Sequence, residues 1–302
     1  MIGSHETLVS VIIPYYNGKK YFEETVLSVI EQTYKNIEII VVDDHSPRIE
    51  DFEYALELSK KYDFTLIRQK HNMGIASTIA NGIEHANGDY IAVFSHDDLF
   101  AVDKIEKQLN FLRDNPSKNC VYTALQLFSE KGIGKIKGLS NTLVLLDELK
   151  ELDEDIFLKR LFLDGISPSL YLQTMMVERE FAERELVPLW YKSKEDVFPI
   201  KIHLCLYHSD RIGIIDEPLT LYREHDTNVS KNNLKMFELT FDIIMNYCPD
   251  TYKAEAIARI LPLLKEPQKL AKKVRRKRRW AKIKNLLNLK KYLNKRRSAC
   301  SR

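Results

Sequence analysis

Four short apolar runs, each closed by polar residues, organise the first hundred positions: LVSVIIP at 8–14, IEIIVV at 37–42, FTLIR at 64–68 and YIAVF at 90–94. Each is short and rich in β-branched residues, the pattern of a buried strand. Between them the period changes. Phe22, Val26, Val29 and Ile30 stand at i, i+4, i+7 and i+8, and Ile75, Ile79 and Ile83 repeat every fourth residue. Both patterns predict helices with one apolar face, and 49–62 reads as a third. Alternation of strand and helix predicts an α/β fold: a Rossmann-like, mainly parallel sheet with helices on both faces.

In such a sheet ligands bind beyond the carboxyl ends of the strands. The polar clusters fall at those ends: Tyr15-Tyr16-Asn17, Asp43-Asp44 and His96-Asp97-Asp98. Acids there also cap helices, but two acidic pairs on one sheet edge suggest a shared ligand. No GxGxxG follows the first strand and GxxxxGK[ST] is absent from the chain. Phosphate is therefore not expected in a glycine-rich cradle. Carboxylates at a phosphate site need a divalent cation between the like charges. Gly132, Gly134 and Gly138 fit neither fingerprint and read as a loosened loop.

Taken in order, VSVIIPYYN (9–17), VVDDHS (41–46), HNMGIA (71–76), ANGDYIAVFSHDD (86–98), Lys194-Glu195-Asp196 and YREHDTNVS (222–230) resemble the family-2 glycosyltransferases of GT-A fold. The resemblance spans roughly 7–232. It implies inverting transfer of a sugar from a nucleotide diphosphosugar, UDP-linked by expectation, to an acceptor hydroxyl. By carry-over, Pro14, Tyr16, Asp43, Asp44, Asn72, His96 and Asp97 would bind the donor. Packing in the turn is the other reading of Tyr16. Asp97 and His225 would hold Mn²⁺ or Mg²⁺, with imidazole favouring Mn²⁺. Asp196 would be the base that takes the acceptor's proton, with Glu195 and Trp190 beside the acceptor. Core packing is the competing reading of Trp190. The sequence departs from the family at Ser95, where the first acid of a DxD-type motif stands, and at Ile79-Ala80, where a polar side chain is common.

The expected organisation is a nucleotide-sugar-binding half over 1–104, an acceptor-binding half over 105–232, a helical extension over 233–264 and a basic amphipathic tail over 265–302. The 302 residues carry 46 Lys/Arg and 43 Asp/Glu, a net charge of +3. From residue 265 onward, however, 17 are basic and only Glu266 is acidic. With Trp280 and Leu286 among the cations, the tail predicts an anionic membrane surface as partner. Nucleic acid is the rival reading and is not expected. The acceptor is expected to be a saccharide, free or lipid-linked, in the making of a surface polysaccharide. The four cysteines form no CxxC pair, so neither a zinc motif nor a redox motif is expected. Without a basic-then-apolar start or a spanning run, the chain is expected to be cytoplasmic and peripheral at the inner membrane face. A sugar-phosphate nucleotidyltransferase and a non-catalytic nucleotide-sugar or nucleic-acid binder are the alternatives.

Overall fold

A computed structural model describes residues 6–149, 151–193, 195, 197–226, 228 and 231–263. Asp196 and the 265–302 tail lie outside the described residues. The predicted strands and helices form nearly where expected: β1 Val9–Tyr15, α1 Phe22–Ile30, β2 Ile37–Asp43, α2 Ile49–Tyr62, β3 Thr65–Arg68, α3 Ile75–Glu84 and β4 Tyr90–Val93. β1 is buried along its whole length, as a central parallel strand should be. α1 buries Phe22, Val26 and Val29 and carries Glu23 and Glu24 in its first turn, where carboxylates complement the helix dipole. Asp63, left-handed at φ 53°, ends α2.

The second half contributes β5 Leu99–Phe100, α4 Lys104–Asp114, β6 Cys120–Ser129, β7 Gly132–Lys137, α5 Ser140–Leu149 and α6 Glu154–Lys159, then β8 Met176–Glu178 and α7 Arg179–Phe181. α7 runs through a π turn at Ala182–Leu186 into α8 Val187–Lys192; α9 Phe198–Tyr207 and β9 Ile212–Arg223 follow. The strands join one sheet in the order β3-β2-β1-β4-β8-β6-β9-β5, with β7 on β6. β3, β2, β1 and β4 are parallel. β8 runs antiparallel to both β4 and β6, so the sheet as a whole is mixed. Beyond β4 the chain loses the regular strand–helix alternation that enforces parallel pairing. The stretches 1–104 and 105–232 therefore share a single sheet.

The glycine-bearing loop expected at 132–138 is instead largely strand. Gly132, at φ +114°, turns the β6–β7 hairpin, and Gly134 lies within β7. Every β7 residue is exposed, so no apolar alternation marked it.

The order of the first four strands matters for function. The chain winds β1-α1-β2-α2-β3 to one side, then crosses back through α3 to place β4 on the other side of β1. The carboxyl ends of β1 and β4 thus flank a topological switch point, the usual seat of a ligand in an open α/β sheet. Under it, Val11, Ile13, Val26, Val29, Phe94 and Leu109 pack in one core.

Contacts divide the chain into two units, the first comprising 1–157 and 166–225. The second holds Leu158–Gly165 and the described residues from Asp226 to 263, including α10 Asn233–Tyr247 and α11 Asp250–Ile260. Its core gathers Leu163, Ile244, Cys248, Ala256 and Ile257. α10 buries Phe237 and Ile244, while Met245 is exposed. No helix among the described residues is long and apolar enough to cross a membrane.

Candidate active site

The switch-point edge is built by hydrogen bonds between strand ends. Asn17 and His45 both adopt left-handed backbone, at φ 54° and 56°, and turn the chain sharply after β1 and β2. Ser46 joins the two turns: its Oγ accepts from Asn17 N at 3.0 Å, and its own N–H donates to Asp43 Oδ1 at 3.1 Å. Asp43 Oδ2 pairs with Arg68 Nε of β3 at 3.2 Å. Asp43 was expected at the donor, but its side chain is 0% exposed. Both its oxygens serve the protein, tying together the ends of β1, β2 and β3, so it supports the site from behind.

Asp44 comes nearer the surface and holds the loop that leads into α3. Its Oδ1 and Oδ2 accept from Met73 N at 2.6 Å and Gly74 N at 2.9 Å. Burial raises its pKa above the ordinary carboxylate value, with the two amides pulling the other way. Asn72 donates to the Asp44 carbonyl at 3.1 Å, closing the loop on itself. Tyr16 is 42% exposed, which excludes its reading as a packed turn aromatic. Pro14 lines a recess with Ile79, Ser95 and Gln173 at the ends of β1 and β4. The apolar residue at 79 is thus a wall of that recess.

The acidic motif divides its labour by burial. Asp98 is shut into the protein, and its Oδ1 accepts from Arg223 N at 2.8 Å. Burial first, and the neighbouring Asp97 second, push its pKa well up toward the neutral acid. Asp97 stays accessible, and its Oδ2 lies 2.9 Å from His225 Nε2. These are the two side chains expected to hold the metal, brought together from positions 128 residues apart. Adjacent ligands of an octahedral ion bound at 2.0–2.1 Å lie about 2.9 Å apart, so the pair fits a divalent cation. His96 Nδ1 is 3.3 Å from the Pro14 carbonyl oxygen and its ring stands edge-on to Tyr15. A Cβ on Gly18 would come within 2.4 Å of that imidazole, so only glycine lets the two loops approach.

Arg223 escaped the sequence reading although it lies in YREHDTNVS, two residues before His225. Its Nε donates to the Asp97 carbonyl at 2.8 Å and a terminal nitrogen to Glu24 Oε2 at 2.7 Å. The guanidinium also lies over Tyr21 at 4.3 Å and Phe128 at 4.6 Å. Tyr21 in turn packs on the His225 ring, with centroids 5.2 Å apart. Arg223 thus fixes the loop that presents Asp97 and joins it to the strand that leads to His225. The signal available was the motif itself: a basic residue close to a candidate metal ligand.

On the acceptor side, Trp190 is 0% exposed in α8, which packs on α3. Its indole belongs to the core, and the expectation that it stacks on a sugar is corrected accordingly. Tyr191 beside it is exposed and donates to Glu84 at 2.7 Å. Glu195 accepts from Phe198 N at 2.6 Å and so caps the start of α9.

Residues 10–162 match the family described as Glycosyl transferase family 2. An uncharacterized glycosyltransferase of Rickettsia conorii is 41% identical over 133 residues, which are 43% of this chain and 22% of that protein. The putative glycosyltransferase EpsE of Bacillus subtilis is 34% identical over 131 residues, 41% of this chain and 45% of that one. The matched stretch therefore spans less than half the length of these curated relatives. The fold is shared with the mannosyltransferase PcManGT of Pyrobaculum calidifontis, solved with GDP-Man and Mn²⁺, at TM-score 0.57 and 16% identity over 86% of this chain and 75% of that one. It is likewise shared with residues 1–349 of S. aureus TarS, solved with UDP-GlcNAc, at TM-score 0.55 and 16% identity over 85% and 72% of the two chains. The GT-A architecture expected from the sequence is thus found, and with a match across half its length this chain belongs to glycosyl transferase family 2.

Proposed function

We propose that this chain transfers a sugar from a nucleotide diphosphosugar, a UDP-sugar in the first instance, to an acceptor hydroxyl with inversion, and that it needs Mn²⁺ or Mg²⁺ to do so. The observation that carries the proposal is the meeting of Asp97 Oδ2 and His225 Nε2 at 2.9 Å beside the switch point. Tyr16 and the loop held by Asp44 and Asn72 border the same edge and would receive the nucleoside. Structural relatives solved with UDP-GlcNAc and with GDP-Man and Mn²⁺ support a nucleotide-sugar donor.

The reaction makes one bond and breaks one. A base takes the acceptor hydroxyl's proton as its oxygen attacks the anomeric carbon, and the diphosphate leaves from the opposite face. Asp196 is proposed as that base on the sequence resemblance alone. Glu195, capping α9, would border the acceptor. Asp97 and His225 would hold the cation, which when bound offsets the negative charge gathering on the leaving diphosphate. Arg223 keeps Asp97 in place for it. The acceptor is proposed to be a saccharide, free or lipid-linked, of a surface polysaccharide. The 17 basic residues of the 265–302 tail support attachment to an anionic membrane surface, and with it a cytoplasmic, peripheral location.

Calorimetric titration of UDP in the presence of Mn²⁺ tests the site. Binding should need the cation and should weaken at least about tenfold in both Asp97→Ala and His225→Ala, each of which removes a direct ligand. Equal affinity in either variant removes that residue from the site.

A further inference from the structure

On the first unit, outside the switch-point edge, three side chains converge whose presence the transfer reaction does not explain. Glu185 stands in the π turn between α7 and α8, His203 in α9, and His208 directly after α9. Five residues apart on a regular helix, the two imidazoles would point about 140° away from each other. They do not, because α9 stops at Tyr207 and His208 takes φ −142°, swinging its ring back until the two centroids are 5.1 Å apart. Both rings aim Nε2 at the same carboxylate oxygen. His203 Nε2 lies 3.2 Å and His208 Nε2 3.5 Å from Glu185 Oε2. The other oxygen, Oε1, is held at 2.9 Å by Arg184 Nε, which orients the carboxylate and leaves Oε2 to face the imidazoles.

We infer that Glu185, His203 and His208 form a second metal site, for Zn²⁺, separate from the Asp97–His225 pair. The donor set is two imidazoles and one carboxylate, the three-ligand type of a zinc site with one position left to water. The spacing agrees. Neighbouring ligands of a tetrahedral zinc at 2.0–2.1 Å lie about 3.3 Å apart, between the two Glu–His distances observed. The three ligand atoms lie within 4.8 Å of one another, so small ring rotations complete the triangle. All three side chains are partly exposed, at 20–24%, so an ion can enter from solvent. Nitrogen ligands select against Mg²⁺, and the ordinary order of divalent affinities places Zn²⁺ far above Mn²⁺.

The position of the site in the chain gives it a role. Glu185 and His203 bracket residues 186–202, the stretch that contains α8 and Glu195. Zinc would cross-link the two ends of that stretch, restricting the unfolded chain and fixing the start of α8 against α9. Its effect would be on stability and on the placing of this segment, not on the bond-making step.

The test is titration of the chelator-treated full chain with ZnCl₂ alone, followed by calorimetry, and with CoCl₂, followed by visible absorption. Wild type and Asp97→Ala should each bind one ion at this site, show the intense d–d bands of four-coordinate cobalt, and melt at a higher temperature with zinc than without. His203→Ala and Glu185→Gln should each weaken that ion at least about tenfold and lose the thermal shift. Glu185→Gln keeps size and shape, so it reports even where His203→Ala folds poorly. Retention of the ion in Glu185→Gln, its loss in Asp97→Ala, or no zinc-dependent shift in wild type would each overturn the inference.

Discussion

Arg223→Met tests how the acidic loop is held. Methionine keeps the unbranched stem between Tyr21 and Phe128 but removes the guanidinium. The largest loss is the 2.8 Å bond to the Asp97 carbonyl, about 2 kcal/mol for a hydrogen bond from a charged donor. The pair with Glu24 contributes less, about 0.5 kcal/mol, because the Glu24 side chain is more than half exposed and screened by water. Loss of the cation from two aromatic faces adds about 0.5 kcal/mol after the retained packing is discounted. The total is about 3 kcal/mol, which for a body of this size is a fall in melting temperature of about 6–12 °C. The loop that presents Asp97 loosens as well, so Mn²⁺-dependent UDP affinity should fall about tenfold, the equivalent of about 1.4 kcal/mol. Calorimetric melting and titration read the two effects separately. A variant that melts within about 1 °C of wild type and binds UDP equally well would show that Arg223 does not hold this loop.

Three further outcomes are expected. Lys104 is wholly buried, donates to Gln108, and burial lowers its pKa from 10.5 to about 7. Between those values the unfolded chain binds more protons than the folded one, so this residue makes stability rise with pH from about 7, by up to about 1.4 kcal/mol per unit; Lys104→Met should abolish that slope, and identical pH–stability curves for the two proteins would refute it. Asp196→Asn should bind donor normally yet turn over at least about 10²-fold more slowly, the scale of a lost general base; wild-type turnover at saturating substrates would move the role elsewhere. Truncation after Lys265 removes 16 basic residues and one acid, leaving an acidic chain; it should no longer sediment with anionic vesicles, and equal sedimentation of both proteins would end the membrane reading.

Much of the first hundred residues could be read directly because local pattern and tertiary role coincide there. β1, β2 and β4 are mostly apolar, interrupted only by Ser10, Glu38 and Asp43, since both faces of a parallel sheet are covered, and α1 and α3 show their buried face in their spacing. The second half was less legible. β5 has two residues and β8 three, too short for any period to show, and β7 is exposed on both faces. At the site, sequence order brought the candidate residues to one edge but could not say which way each side chain turns. Asp43 and Asp44 are neighbours on a strand end, and alternation sends one into the core and the other toward the loop. Asp97 and Asp98, in the turn between β4 and β5, also differ, the first accessible and the second buried. Trp190 suits a sugar platform and a core equally well as a side chain, and only the packing of α8 on α3 decides between them. The Glu185–His203–His208 cluster depends on where α9 ends, a feature of the last turn that no spacing rule anticipates.

Sugar transfer from a nucleotide donor at the Asp97–His225 edge, as proposed, would show itself first as release of nucleoside diphosphate. A panel of UDP- and GDP-sugars should be offered to the full chain with Mn²⁺, with Mg²⁺ and with chelator, and to Asp97→Ala alongside. At least one donor should release its nucleoside diphosphate with Mn²⁺, lose that release under chelation, and be cleaved at least about 10²-fold more slowly by Asp97→Ala, the scale of a lost charge-stabilising group. Cation-independent release, or equal release by the variant, would rule out a metal-assisted transfer site at Asp97 and His225.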